Sequence, residues 1–88
     1  AYGSDLQLCM KLLAQIADEH PRVLRYPAPA VFFDDFAASS LNLILRYWVA
    51  DIDHGASTMT DIRLRVNELF TQNGIEISFP QLDVHLDK

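Results

Sequence analysis

Cysteine is almost missing from this sequence, since Cys9 is the only one among 88 residues. A single cysteine cannot form an internal disulfide, and no Cys/His spacing in the chain is typical of a zinc site. Half of the residues are hydrophobic, so one apolar core can hold the fold without such links. A reducing compartment fits this composition best.

Long hydrophobic runs are missing as well. The longest apolar-looking stretches are 27–33 and 41–49, both far shorter than the ~20 residues that a membrane helix needs. Asn42 and Arg46 also interrupt the second stretch. The chain does not open with the charged and apolar regions of a signal peptide. We therefore expect that this piece does not span a bilayer.

Positive charge is scarce. Seven Lys and Arg residues face twelve Asp and Glu residues, which gives a formal net charge of -5. Nucleic-acid binding draws its affinity from clustered basic side chains, and those of this chain are scattered. The same deficit disfavours binding to an anionic membrane surface. We expect no nucleic-acid partner.

Motifs that carry chemistry are not found either. No glycine-rich phosphate-binding loop occurs, and Asp34 and Asp35 are neighbours on a predicted strand, so they point to opposite faces. The stretch 51–55 lacks ligands that a calcium-binding loop needs. Cys9 has no evident activating base. We predict no catalytic, cofactor-binding or metal-binding residue, no cofactor and no enzymatic activity.

The first pattern that is present indicates a helix near the beginning of the chain. Ser4 and Gln7 form a capping-box pattern, which predicts the helix start. Pro21 predicts its end near His20, whose side chain we expect to interact with the last helical carbonyls. The predicted buried stripe consists of Leu6, Cys9, Met10, Leu13, Ile16 and Ala17.

Two strands are predicted next, at 31–36 and 41–49, joined by a short connection into an antiparallel hairpin. We expect Phe33 and Leu45 to be buried, and the face of Phe32 stays open. One face of the second strand carries Leu41, Leu43, Leu45, Tyr47 and Val49, and the other carries Asn42, Ile44, Arg46 and Trp48. The latter set is too apolar for plain solvent exposure and too polar for a core, so it is expected to contact a partner.

A second helix follows, capped by Thr58 or Thr60. Its predicted buried stripe is Ile62, Val66, Leu69 and Phe70. Asp61 and Arg65 stand four residues apart, which predicts a weak ion pair on the outer face. Gly74 suits a left-handed helix end. Short strands are then predicted at 75–79 and 82–86.

The order helix, strand, strand, helix, strand predicts an α+β fold, a ferredoxin-like βαββαβ sandwich whose first strand is truncated. Two helices should pack on one face of a mostly antiparallel sheet. The truncated strand normally lies centrally, so its loss would leave backbone donors and acceptors unpaired. Three candidates could fill the place: the terminal strand 82–86, that strand from a neighbouring molecule, or upstream residues.

Four segments of the sequence together carry a family resemblance. They occur in the order that the family shows: YGSDL at 2–6, EHPRVL at 19–24, SSLNL at 39–43 and NGIEISFPQLDVHL at 73–86. In these segments the chain resembles the cytoplasmic C-terminal αβ domain of the small-conductance mechanosensitive channel (MscS) family. Short and long channels share the motifs, so the subfamily stays open.

The resemblance implies a homo-oligomeric, heptameric ion channel of the inner cell membrane, with this domain on the cytoplasmic side. There it would form a cage, or vestibule, that contributes to assembly and solute filtering. Residues 1–80 would be the αβ domain, and 81–88 an exit strand leading to a C-terminal β-barrel. Membrane contact would occur only through transmembrane segments outside this sequence. The candidate oligomer or inter-domain contacts are Asn42, Ile44, Arg46, Trp48, Leu82, Val84 and Leu86.

A second hypothesis is a small-ligand-binding regulatory domain, because ferredoxin-like units also bind metabolites and a fold does not fix a function. This hypothesis predicts a concave pocket with convergent polar groups.

Overall fold

Two helices and three strands make up the part of the chain that the structure, a computed structural model, describes: residues 2–34, 42–75 and 81–86. The elements are α1 (Tyr2–Glu19), β1 (Ala30–Asp34), β2 (Asn42–Val49), a 3₁₀ turn (Ile52–His54), α2 (Gly55–Gln72) and β3 (Gln81–Leu86). The predicted α+β, ferredoxin-like arrangement is confirmed. The predicted hairpin connection, Leu41 and most of the strand 75–79 lie outside the described residues. No helix within the described ranges is long and apolar enough to cross a membrane.

The sheet has the strand order β1-β2-β3. β1 pairs antiparallel with β2, with Val31 opposite Leu45, whereas β3 pairs parallel with β2, with Leu82 opposite the same Leu45. The sheet is therefore mixed, where the sequence predicted a mostly antiparallel one. β3 of the same chain occupies the edge of β2 that faces away from β1, which was the first of the three candidates. β2, α2 and β3 form a βαβ unit.

The core lies between the sheet and the two helices. On β2 the predicted inward face is confirmed for the residues described: Leu43, Leu45, Tyr47 and Val49 are buried. The stripe of α2 is also confirmed, and Thr58 is buried beside it. On α1, Leu12 joins the predicted buried residues, while Leu6 and Met10 are partly buried against the cluster.

The starts of both helices differ from the predictions. α1 begins at Tyr2, so Ser4 lies within the helix and not at its N-cap; its predicted end is confirmed. α2 begins at Gly55, because Asp51 already caps the preceding turn by accepting the His54 backbone N–H at 3.0 Å. Thr58 therefore lies inside α2 as a buried residue.

The end of α2 has the geometry that Gly74 predicted. Gly74 has a φ of 67°, in the left-handed region that glycine adopts without strain. Its N–H donates to the Thr71 carbonyl at 3.1 Å, and the N–H of Ile75 donates to the Phe70 carbonyl at 2.9 Å. These two bonds form a Schellman motif, and Ile75 is buried next to the core.

Polar contacts join the end of α1 to α2. His20 Nε2 lies 2.9 Å from Asp61 Oδ2, and Arg65 Nε donates to Glu19 Oε1 at 2.8 Å. The predicted pair of Asp61 with Arg65 is therefore wrong, because each side chain has a nearer partner at the end of α1. The ring of His20 also accepts the Arg22 backbone N–H at 3.0 Å. It bonds these two groups and not the last carbonyls of α1.

Candidate functional site

The sheet face that points away from the helices is the candidate site, and we call it the open face. Side chains alternate along a strand, so the residues between the buried positions of β2 point outward. Those of β2 are half-buried and not fully exposed. The open face comprises Phe32 on β1, Ile44, Arg46 and Trp48 on β2, and Asp83 and His85 on β3.

Arg46 lies at the centre of the open face. It is directly opposite Asp83 in the parallel register, and its Nε donates to Asp83 Oδ2 at 2.7 Å. On the other side, its guanidinium carbon lies 4.9 Å from the centre of the Phe32 ring. This distance is that of a cation–π contact. Arg46 therefore connects an aromatic ring on β1 to a carboxylate on β3.

His85 extends this chain of contacts to Trp48. His85 Nε2 lies 3.2 Å from Asp83 Oδ1, so both carboxylate oxygens have a partner. The His85 ring stacks on Trp48 with the ring centres 5.2 Å apart and the planes at 27°. Aromatic pairs at this separation are attractive beyond their buried area. A continuous series of contacts thus crosses all three strands.

The charges on this face are neutralised by partners within the same domain. Hydrogen bonds from Arg46, and then from His85, hold the pKa of Asp83 below its usual value because they favour the carboxylate over the acid. Asp83 is therefore ionised at neutral pH and is not poised to donate a proton. A surface with aromatic side chains and paired charges is suited to packing against another surface.

The structure divides the predicted contact residues between two faces. Ile44, Arg46 and Trp48 lie together on the open face. Leu82, Val84 and Leu86 point to the helix side, where Leu82 and Val84 pack against the core and Leu86 is exposed at the sheet edge. Asn42 begins β2 opposite Asp34, and its side chain lies outside the described part.

Sequence reasoning missed Phe32, Asp83 and His85 as members of this face. The signal for two of them was present, because Leu82 and Val84 alternate with Asp83 and His85 and the apolar pair fits a core. Phe32 gave no such signal, since it stands among apolar neighbours in AVFFD. Its orientation follows only from the register with Ile44.

A separate cavity of about 400 Å³ lies between the end of α1 and the segment that follows it. Its charged walls include Asp18 and Arg25, which pair with each other at 3.6 Å. Asp51, in the stretch 51–55 that lacks the ligands of a calcium-binding loop, accepts hydrogen bonds from His54. Among the described residues, no group of three His, Cys, Asp or Glu side chains is arranged to hold a metal ion.

The comparisons with known proteins all indicate one protein family. The sequence profile described as "Mechanosensitive ion channel MscS, C-terminal" matches residues 1–77. An uncharacterized MscS family protein of Haemophilus influenzae is 46% identical over 86 residues, which is 98% of this chain and 8% of the relative. The mechanosensitive channel MscK of Escherichia coli is 43% identical over the same shares of the two chains.

A more distant relative is the small-conductance mechanosensitive channel MscMJ of Methanocaldococcus jannaschii, 32% identical over 80 residues, or 89% of this chain and 22% of the relative. The chain thus spans only a small part of the relatives that it matches. Because the family profile covers most of its residues, this chain belongs to the MscS family of mechanosensitive ion channels and corresponds to the C-terminal domain of that family.

Proposed function

We propose that this domain forms part of the wall of a cytoplasmic cage in a homo-oligomeric mechanosensitive channel. The observation that carries the proposal is the match of residues 1–77 to the C-terminal domain of the family. The relatives have the names of channels and not of enzymes. The parent protein is then a membrane protein, and the cage would contribute to subunit assembly and to solute filtering.

The open face supports a role in contacts between domains or subunits. Its aromatic and apolar side chains, Phe32, Ile44 and Trp48, surround an ion pair that is already satisfied within the domain. A surface of this kind can be buried without leaving a charge unpaired, which is the main cost of burying polar groups. The geometry fits assembly better than catalysis.

Charge supports a filtering role. Each copy of the domain carries a formal net charge of -5, so several copies around one vestibule would attract cations and repel anions. The effect is local, because physiological salt screens charges beyond about 8 to 10 Å. The vestibule would therefore bias the ions that enter the pore from the cytoplasm.

The parent channel without this region tests the proposal. We expect deletion to change ion preference and the rate of desensitisation under sustained membrane tension, both measured by patch clamp. A matched control replaces exposed acidic residues of the domain with their amides, which should change ion preference while the cage stays intact. Unchanged behaviour of the deletion in both measurements would contradict a functional vestibule.

The same proposal also specifies the number of subunits and the side of the membrane on which this domain lies. We expect a heptamer in the inner cell membrane, this domain on the cytoplasmic side, and residues 81–88 leading toward a C-terminal β-barrel. The mass of the purified parent protein in detergent tests the stoichiometry. Labelling of a cysteine placed at exposed Ile52, in sealed spheroplasts and in permeabilised ones, tests the side of the membrane.

The cavity beside α1 supports a second candidate, a small-ligand regulatory domain. Its volume of about 400 Å³ lies in the range of ligand pockets, although Asp18 and Arg25 pair with each other within it. A thermal-shift screen against metabolites distinguishes the two functions. A reproducible hit that is lost in Arg25→Ala favours regulation, and a purely structural cage predicts no hit.

A further inference from the structure

Asn73 and Gly74, which follow the last residue of α2, are two neighbours that can react with each other. The chain contains three asparagines, Asn42, Asn67 and Asn73, and only Asn73 precedes a glycine. The backbone nitrogen of the next residue can attack an asparagine side chain, and glycine leaves that nitrogen unhindered because it has no Cβ. Asparagine is also one of the thermolabile residues of proteins. The pair is therefore a candidate for spontaneous chemical modification.

Hydrogen bonds at the helix end hold both reacting groups. Asn73 Nδ2 donates to the Leu69 carbonyl at 2.8 Å, and the Asn73 backbone N–H donates to the same carbonyl at 3.1 Å. The nitrogen of Gly74, which would be the nucleophile, donates to the Thr71 carbonyl at 3.1 Å. Attack on the Asn73 side chain requires the Gly74 bond to break and the amide to leave the Leu69 carbonyl. The folded helix end therefore slows the reaction.

The position of the pair allows this helix end to open while the core stays folded. Asn73 and Gly74 are both exposed, whereas Ile75 is buried, with 8% of its surface exposed. The ends of helices fray more readily than the core unfolds. Burial of Ile75 and the bond from its N–H to the Phe70 carbonyl oppose that opening. Loss of these two contacts would free Asn73 and Gly74 without separating the strands.

We propose that Asn73 is a site of spontaneous deamidation, and that local opening of the last turn of α2 sets its rate. In the open turn the Gly74 nitrogen forms a bond to Asn73 Cγ, the Cγ–Nδ2 bond breaks, and ammonia leaves with the proton that the Gly74 nitrogen gives up. Water then opens the resulting cyclic imide. Hydrolysis at Cγ gives aspartate, and hydrolysis at the backbone carbonyl carbon gives isoaspartate, in which the main chain runs through the side chain.

Either product weakens the helix end. A carboxylate cannot donate to the Leu69 carbonyl, so the 2.8 Å bond from the Asn73 amide is lost. The new negative charge lies at the C-terminus of α2, where the helix dipole disfavours anions. Isoaspartate also adds a carbon to the main chain directly before Gly74, whose left-handed geometry closes the helix. Deamidation therefore makes each copy more negative and its α2 less stable.

Deamidation rates of the folded and the unfolded chain test the proposal. The chain is incubated in warm, mildly alkaline buffer with or without guanidinium chloride, and its peptides are analysed by mass spectrometry and by isoaspartyl methyltransferase labelling. We expect Asn73 to react about ten- to a hundredfold more slowly in the folded chain. In denaturant, Asn67, which precedes Glu68, should react far more slowly than Asn73.

Four results of these incubations would overturn the proposal. Equal rates in the folded and the unfolded chain would mean that the helix end does not control the reaction. An unfolded chain without product at Asn73, or an Asn67 as reactive as Asn73, would mean that Asn73 is not a preferred site. A folded chain without product after about a hundred half-times of the unfolded chain would mean that the turn does not open locally.

Two isoleucine variants separate opening of the helix end from unfolding of the whole domain. Ile75→Val removes one buried carbon beside the reacting pair, and Ile16→Val removes one from the core side of α1, where Ile16 is 1% exposed. We expect Ile75→Val to raise the folded-state rate by about threefold or more and Ile16→Val to leave it unchanged. In denaturant both should react like the wild type. Equal acceleration by the two variants, or none by Ile75→Val, would refute local opening.

Asn73→Asp reproduces the aspartate product and tests its effect on stability. Asn67→Asp is the matched control, because it adds the same charge at an exposed position inside α2. We expect Asn73→Asp to raise the equilibrium constant of unfolding by about threefold or more, and Asn67→Asp to change it by less than about twofold. Urea unfolding gives both values. Equal stability of the two variants would contradict a weakened helix end, and no outcome depends on the channel function proposed above.

Discussion

Arg46 on β2 and Asp83 on β3 face each other across the parallel pair, 37 residues apart in the sequence, and share a 2.7 Å hydrogen bond. The bond lies on the open face, whereas the apolar contacts of β3 lie on the helix side. β3 is therefore held to β2 on both faces. Because the pair is partly exposed, its contribution to stability should be modest.

A double-mutant cycle on Arg46→Ala and Asp83→Ala measures that contribution. We expect a coupling free energy of about 0.5 to 1 kcal/mol, the upper part of the range for exposed ion pairs, because the geometry is good. Urea unfolding of the four proteins gives the value. A coupling indistinguishable from zero would mean that the pair is screened by solvent and does not hold β3.

Acid should weaken the fold partly through Asp83. Its pKa is lowered in the folded chain from 3.8, so its stabilising contribution is fully present above that value and is lost as the pH falls through the lower native pKa. Asp83→Asn should therefore be less stable near neutral pH and lose less stability on acidification. Urea unfolding at a series of pH values below about 5 tests this expectation. Parallel pH profiles for the variant and the wild type would contradict it.

Alkali should weaken the fold through Tyr47. Burial raises the pKa of its hydroxyl from 10.0 to about 12, because the phenolate is disfavoured away from water. Its contribution is present below pH 10 and is lost as the pH rises toward the native value, by about 3 kcal/mol at most. Tyr47→Phe should remove this loss.

Near neutral pH the same variant tests the hydroxyl itself. Among the described residues, the buried Tyr47 hydroxyl has no hydrogen-bond partner, so its removal should leave the free energy of unfolding unchanged or raise it. A destabilisation above about 1 kcal/mol would show that the hydroxyl is satisfied in solution.

Core burial distinguishes Leu45 from Phe33. Leu45 is fully buried, so Leu45→Ala should cost about 2 to 5 kcal/mol. Phe33 was expected to be buried as well, but it is 43% exposed at the sheet edge, so that expectation is wrong. Phe33→Ala should cost less than half as much at concentrations where the chain is monomeric. Equal costs for the two variants would contradict the edge position of Phe33.

Two glycines, one at the start of α2 and one just after its end, provide a matched pair of substitutions. Gly74→Ala should cost about 1 kcal/mol, because alanine is strained at its φ of 67°. Gly55 has a right-handed helical conformation with a φ of -62°, and an added Cβ there would meet no atom of the described residues within 4 Å. Gly55→Ala should therefore be neutral or stabilising by up to about 1 kcal/mol. Thermal unfolding compares the two directly.

Alternation along β2 was sufficient to predict which side of that strand is buried. Leu43, Leu45, Tyr47 and Val49 repeat with the period of a strand, and a strand with one buried face has this pattern. The buried stripes of the two helices were predictable in a similar way, because apolar residues repeat there with the period of a helix. On this basis Ile44, Arg46 and Trp48 could be assigned to the opposite face before any pairing was known.

The pairing of the strands, and the position of each strand in the sheet, could not be predicted from the alternation of residues. The parallel pairing of β3 with β2 depends on the path of α2, and the exposure of Phe33 depends on the sheet ending at β1. The capping patterns also predicted the wrong helix starts, because neither Ser4 nor Thr58 lies at the start of its helix. Asp51, two turns before Thr58, has the required chemistry and caps the turn that leads into α2.

The long crossover between β2 and β3 has a consequence for synthesis. Asp83 of β3 leaves the ribosome 37 residues after Arg46, the residue that it must meet, and at about 5–20 residues per second this delay lasts about 2 to 7 s. During that time the inner edge of β2 is open to other nascent chains. Neighbouring copies translated from one message would compete for it until β3 of the same chain arrives.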